Sequence, residues 1–172
     1  IMDNTDRNND PNFIDPMKNP EVEKYSYCVS YKDDYIVVDD HRFRADVLVT
    51  DSLFLQLMDY PVVSGIKNIQ RPDDAIITRK YARHLFGEEE PLGKQFVSSA
   101  GHTLTIRGIM DEPDTKVSLQ FDLITSVNQG GTTDWSRVGF CVVQLVKGTD
   151  VEKLNEKISK PQSLICFSHV PI

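Results

Sequence analysis

Three glutamates in a row, Glu88, Glu89 and Glu90, follow His84 by one helical turn, and together they have the residue types of an acid/base or metal site. A second cluster, "DDHR" from Asp39 to Arg42, joins two acids to a histidine. Cys28, Cys141 and Cys166 add three thiols, and "PLGK" at Pro91 to Lys94 has the look of a phosphate loop. The triple acid lies between Gly87 and Pro91, which mark the end of a helix and the start of a turn, so the carboxylates splay outward as surface charge. The helix also ends between His84 and Glu88, so the pair lacks the third group and the pocket a site requires. "DDHR" has the residues of an ordinary hairpin connection.

"PLGK" lacks the GxxxxGK[ST] frame, and the adjacent glutamates would repel a phosphate. Gly130 and Gly131, in "NQGGTTDW", lack a following lysine or a GxGxxG frame. GxSxG is absent, and His41, His84, His102 and His169 lie in unrelated contexts, so no nucleophile meets a base. An odd number of cysteines without CxxC spacing argues against a disulfide framework and a zinc site. Cys28 and Cys141 stand in apolar runs and are read as buried thiols. The sequence therefore offers no catalytic, cofactor-binding or metal-binding residues.

The elements that carry these groups follow from periodicity. "KYSYCVSY", "YIVVDD" and "FRADVLVT" are β-branched and aromatic and are predicted as three strands of a meander. In "TDSLFLQLMDYP" the period changes: Leu53, Phe54, Leu57 and Met58 recur at helical spacing behind a capping Asp51. "DAIIT" is a strand that runs into a helix capped by Thr78, with Tyr81, Ala82, Leu85 and Phe86 on one face. Gly87 follows as a left-handed C-terminal stop. "KQFVSS" and "HTLTIRGIM" form a hairpin across Ala100 and Gly101. "DEPDTK" is a turn, "SLQFDLITS" an alternating strand, and "NQGGTTDW" a loop. "RVGFCVVQLVKG" is apolar on both faces, with Phe140, Val142 and Val146 on one and Cys141, Val143 and Leu145 on the other, as in the spine of a sheet. "TDVEKLNEKISK" has a capping box at Thr149 and Glu152 and a stripe of Val151, Leu154 and Ile158. "SLICFSHVPI" is a further strand, and residues 1–20 are an irregular lead-in rich in Asn, Asp and Pro.

At 172 residues, with 40% apolar and 26% charged residues, the chain is long enough for a real core, burying roughly 70% of its unfolded surface. The net charge of -7, from 26 acids and 19 bases, supplies no basic stripe for nucleic acid or for anionic lipid. No stretch is apolar for long enough to span a bilayer. A segment lying between membrane spans would have the same composition.

Motif order carries more than any single motif. "FLQLMDYPVVSG", "DAIITRKYARHLFGEEEPLGKQF", "LTIRGIMDEPD" and "FDLITS" resemble, in that order, the extracytoplasmic domain of MacB-like and FtsX-like ABC transporter permeases. The residues that carry the resemblance are Ala82, Phe86, Gly87, Pro91, Leu92, Gly93, Lys94, Ile106, Gly108 and Ile109, over about residues 51–158. Where the family often has Asn-Ser-His after the "DEPD" turn, this chain has Thr115 to Ser118, so a contact made by such a histidine is not carried over.

The resemblance implies an α+β, two-lobed periplasmic domain on the outer face of the bacterial cytoplasmic membrane, in a parent protein that spans the membrane outside this segment. A porter-like βαβ lobe (about 21–78 and 135–172) would hold an inserted, small, mainly-β (Sabre-like) lobe (about 79–134). The glycines and proline of 77–96 would then be turn devices joining the lobes. The implied function is non-catalytic: relaying ATP-driven motion of the spans outward, with no cofactor. Its partners would be a separate ATPase subunit, a permease dimer mate and a periplasmic accessory protein or substrate, and not nucleic acid. Two other readings stay open on the residues alone. One is an extracytoplasmic ligand-sensing or adhesion module, and the other a hydrolase whose acids meet only in three dimensions.

Overall fold

Alternating apolar residues from Val22 to Val38 form one 17-residue strand, β1, in place of the two expected strands. The polar interruption at Lys32 and Asp33 is a β-bulge: the register with the next strand shifts between Tyr31 and Asp34. Asp33 takes φ 57 there, a conformation Asp tolerates better than bulkier residues. The computed structural model describes residues 19–58, 60–111, 119–127, 139–158 and 164–166. The expected lead-in through residue 18, the "DEPDTK" turn beyond Asp111, the "NQGGTTDW" loop and His169 lie outside them.

β1 turns into β2 (His41–Thr50) through Asp39 and Asp40, at φ 47 and 64. A two-residue hairpin turn that matches strand twist needs positive φ at both positions, so "DDHR" is the turn the sequence predicts. The remaining elements are α1 (Phe54–Met58), β3 (Val62–Gly65), β4 (Asp74–Thr78), α2 (Arg79–Phe86), β5 (Gln95–Ser98), β6 (Thr103–Met110), β7 (Leu123–Ser126), β8 (Gly139–Leu145), α3 (Val151–Ile158) and β9 (Leu164–Cys166).

Six strands close on themselves, β1 to β2, β7, β4, β6, β5 and back to β1. The closing pairs are Ile36 with Ser98 and Val37 with Val97. Inside this ring, residues two apart point inward: Ile36 and Val38, Ala45 and Val47, Ala75 and Ile77, Leu104 and Ile106. α2 covers the same core with buried Tyr81 and Ala82, and Leu85, Phe86 and Leu92 pack against it. The outer face carries a second core, in which Leu48, Ile76, Ile124 and Met110 meet Phe54 and Leu55 of α1. All five residues of β4 are buried because both of its faces are covered.

The third core lies on the sheet's other end, where Cys141, Val143 and Leu145 of β8 meet Leu154 of α3. β8 runs parallel to β9 with α3 between them in sequence, a βαβ unit. The fold is thus the expected α+β, two-lobed class, a βαβ lobe and a mainly-β lobe. β8 does have two apolar faces, Val142 in the second core and Cys141 and Val143 in the third. Val146 lies past the strand's end and is 45% exposed. The spine is β1, which pairs with β2, β5 and β8, whereas β8 is next to last in the strand order.

Local details moved by a residue or so. Thr78 caps α2 as expected, its hydroxyl accepting the Tyr81 amide at 3.2 Å. α3 is capped by Asp150, whose Oδ1 accepts the Lys153 amide at 3.1 Å, while the Thr149 hydroxyl donates to the Val146 carbonyl at 2.7 Å. In α1 the helix begins at Phe54, which turns Leu55 inward and leaves Leu53 36% exposed. Among the described residues of "SLQFDLITS" only Leu123–Ser126 is strand, and its four residues are all buried instead of alternating. β3, which no pattern announced, crosses β6 at Gly65 and Gly108. A Cβ on Gly65 would lie 2.0 Å from the Arg107 carbonyl oxygen, and one on Gly108 would lie 2.7 Å from that of Ile66.

Gly87 has positive φ, as expected, but its φ 61, ψ -121 is not the left-handed helical stop. It is the first central residue of a type II′ turn, closed by the Glu89 amide on the Phe86 carbonyl at 3.1 Å. Gly87→Val is expected to lower stability by at least about 1 kcal/mol, because a β-branched residue resists that φ. Gly65→Ala is expected to cost more, since it adds a collision with backbone to the strained φ of 77. Urea unfolding of both variants checks the size and the order; an unchanged midpoint for Gly87→Val contradicts the turn assignment.

Candidate functional site

Among the described residues, the groups flagged by sequence do not gather into one place. Glu88, Glu89 and Glu90 are exposed after α2. Glu89 pairs with Lys94, and that hydrogen bond, followed by the lysine's charge, holds its carboxyl below the usual range. Glu90 Oε1 accepts the Leu92 amide at 3.1 Å, and the Lys94 ammonium lies 4.6 Å from the centre of the Phe86 ring. These are turn and surface contacts. His84 is exposed on α2, its ring edge-on to Phe43 at 6.1 Å. His41 Nδ1 lies 2.7 Å from the Asp39 carbonyl in the first hairpin, and His102 sits in the turn between β5 and β6, its amide on Ser98 Oγ at 3.2 Å. Among the described residues no group of three or more His, Cys, Asp or Glu side chains is arranged to hold a metal ion.

The structure instead brings together four polar side chains that sequence reasoning did not connect. Ser26, Cys28 and Thr50 are completely buried where β1 leaves β2 for β8. Ser26 Oγ lies 3.0 Å from Thr50 Oγ1 and donates to Asp51 Oδ1 at 2.8 Å. Cys28 Sγ lies 3.3 Å from Thr50 Oγ1, and Thr50 donates to the Tyr27 carbonyl at 3.1 Å. Cys28 and Thr50 are the last pair of the β1–β2 ladder. Beyond it, Asp51 stands in for the departing strand: its carboxylate accepts the Tyr27 amide at 3.3 Å and the Leu53 amide at 2.8 Å. Asp51, expected as the cap of α1, instead holds the Leu53 amide just ahead of the helix and pins the branch. Period-2 spacing of Ser26 and Cys28 puts both on one face, but only the pairing with β2 shows that the face is buried.

This cluster has hydroxyls, a thiol and a carboxylate, yet its electrostatics suit structure and not catalysis. Burial pushes the Cys28 thiol up from 9.0 to about 12, against smaller opposing effects of hydrogen bonds with Thr50 and Ser26. A thiol held protonated is neither a nucleophile nor a metal ligand at neutral pH. Cys141 is buried as well, as the sequence implies. A second missed carboxylate, Asp74, is buried at the head of β4, its Oδ2 accepting the Gln70 and Arg71 amides at 3.0 and 2.8 Å. Arg107 Nε lies 3.8 Å from its other oxygen. Here too the acid organises a loop.

Cys28 in the folded chain is expected to react with iodoacetamide at least about a hundredfold more slowly than in urea, read by mass spectrometry; equal rates contradict a buried, protonated thiol. The raised pKa also fixes a sign. The unfolded chain releases this proton near 9.0 and the folded chain near about 12, so stability is full below pH 9 and falls as pH rises through that window. Urea midpoints measured across it check the direction.

Residues 3–160 match the sequence profile of the family described as the MacB-like periplasmic core domain. The match starts well upstream of residue 51, where the resemblance read from the motifs begins. No curated protein sequence matches the chain. Among solved structures, a domain described as that of a permease protein from Porphyromonas gingivalis is 19% identical with a TM-score of 0.64, over 81% of this chain and 69% of that one. The periplasmic region of MacB from Actinobacillus actinomycetemcomitans is 12% identical with a TM-score of 0.65, over 83% and 66%. The extracellular domain of the noncanonic ABC-type transporter YknZ from Gram-positive bacteria is 14% identical with a TM-score of 0.63, over 86% and 82%. The structural likenesses agree with the fold derived above, and the profile covers most of the sequence. The chain belongs to the MacB-like periplasmic core domain family and is an extracytoplasmic domain of an ABC transporter permease.

Proposed function

We propose that this domain relays motion of the permease's membrane spans to a substrate or partner outside the membrane and performs no bond chemistry itself. The observation that carries this reading is β1, which runs as one strand from the βαβ unit into the closed ring, hydrogen-bonded to β8 at one end and to β2 and β5 at the other. A shared strand passes displacement between lobes without a compliant linker, and packed interfaces transmit it as rigid-body motion. The buried polar groups at the branch support the same reading, since they hold geometry and are tuned away from reactivity. Energy would come from ATP hydrolysis on a separate cytoplasmic subunit, and a permease dimer mate and a periplasmic accessory protein would complete the assembly.

We take the lobe division, about 21–78 and 135–172 against 79–134, as one of chain order. Pairing crosses it: β4 lies before residue 79 and bonds to β6 and β7 after it.

The test uses the parent permease with its ATPase in lipid nanodiscs, carrying spin labels at positions 83 and 152, which are exposed on α2 and α3. Distances between the two copies of the domain are expected to change between nucleotide-free and ATP-bound states, while the distance from position 83 to 152 within one copy stays fixed. Inter-copy distances indifferent to nucleotide contradict the relay.

A further inference from the structure

The bulge in β1 sits between the stretch paired with β8, which ends at Val29, and the pairs with β5 at Ile36 and Val37. Register passes from Tyr31 opposite Val47 to Asp34 opposite Ala45, so Lys32 and Asp33 together face Asp46 of β2. An extra residue in a bulge ordinarily lacks a ladder partner. Here the Asp46 carboxylate fills that place, accepting Lys32 Nζ at 2.8 Å and the Asp33 amide at 3.1 Å. Lys32 also donates to the Gln120 carbonyl, and Arg44 pairs with Asp33.

The bonds continue across the next strands. The Asp46 amide donates to Asp122 Oδ2 at 2.8 Å, and the Asp122 amide donates back to the Asp46 carbonyl at 2.8 Å. The Asp122 carbonyl accepts the Thr78 amide at 2.9 Å, and Thr78 Oγ1 caps α2 through the Tyr81 amide. One hydrogen-bonded line therefore runs from the bulge through β2 and the head of β7 to the first turn of α2.

The geometry points to a coupling line: a displacement of β1 at the bulge alters how firmly α2 is capped. Its use in transport rests on the relay reading above, but the coupling is a property of this chain alone. Asp46 and Asp122 are joined through both main chain and side chain, so neither shifts without the other. Asp33 holds a left-handed conformation only while its partners fix it, so releasing Asp46 lets the bulge relax. The ion pair itself contributes little, because the Lys32 and Asp46 side chains are 49% and 31% exposed. The Asp46 carboxylate is the stronger link.

Amide hydrogen exchange of the 172-residue chain, read by NMR, tests this at Thr78 and Tyr81, with the Val142 amide of β8 as the monitor of general opening. Asp46→Ala is expected to speed exchange at Thr78 and Tyr81 about tenfold relative to Val142, a coupling of ordinary size. Lys32→Met is expected to give a smaller change of the same sign, and Lys24→Met, on the same strand but off the line, none. Should Asp46→Ala fail to fold, Lys32→Met alone carries the test. Acceleration confined to Tyr31–Tyr35, or equal acceleration at Val142, overturns the proposal. Neither outcome touches the nucleotide-dependent distances, so a failed coupling line and a failed relay are told apart.

Discussion

The structure depends on the hydrogen-bonding of a single strand. β1 is long enough to serve two neighbourhoods, and no short strand could: its first half bonds to β8 while its second closes the ring against β5. That double duty creates three local problems. The strand must take in an extra residue between its pairing with β8 and its pairing with β5, it must lose β2 at one point without leaving the Tyr27 amide unpaired, and it must reverse into β2 at its end. Each has a carboxylate or turn as its solution: Asp46 at the bulge, Asp51 at the branch, and Asp39 with Asp40 at the hairpin. Asp51 keeps the part-buried Tyr27 amide from being left unpaired, while Asp46 and the Asp39–Asp40 turn set the backbone at exposed positions.

The same accounting explains how the acids and polar groups among the described residues are used. Asp74 is taken up by two loop amides, Asp51 by a ladder end and a helix start, Asp122 by the Asp46 amide. Each of these carboxylates holds a piece of backbone in place. Cys28 is similarly committed: burial raises its pKa and removes the thiolate.

How far the sequence reveals this follows the range of the interactions. Thr78 as a cap and Asp39–Asp40 as a turn are set by neighbours within a few residues, and both were legible. Gly87 was half legible: the need for positive φ is local, but the choice of a II′ turn depends on where Glu89 finds a partner. The "YKDDY" interruption has the composition of a turn, and only Asp46, a strand away, makes it a bulge. Ring closure between β1 and β5 joins residues some sixty positions apart and leaves no periodic trace. The branch cluster was invisible for the same reason, because Ser26, Cys28 and Thr50 become one group only after pairing. Motif order, which carries family resemblance, was more informative about function than any single residue type.

If β1 welds the lobes into one mechanical body, they should also be one thermodynamic unit. Scanning calorimetry of the 172-residue chain measures this directly. The account predicts a single transition with a calorimetric-to-van't Hoff enthalpy ratio of about 1. Two resolved transitions, with the βαβ unit melting apart from the ring, would contradict it.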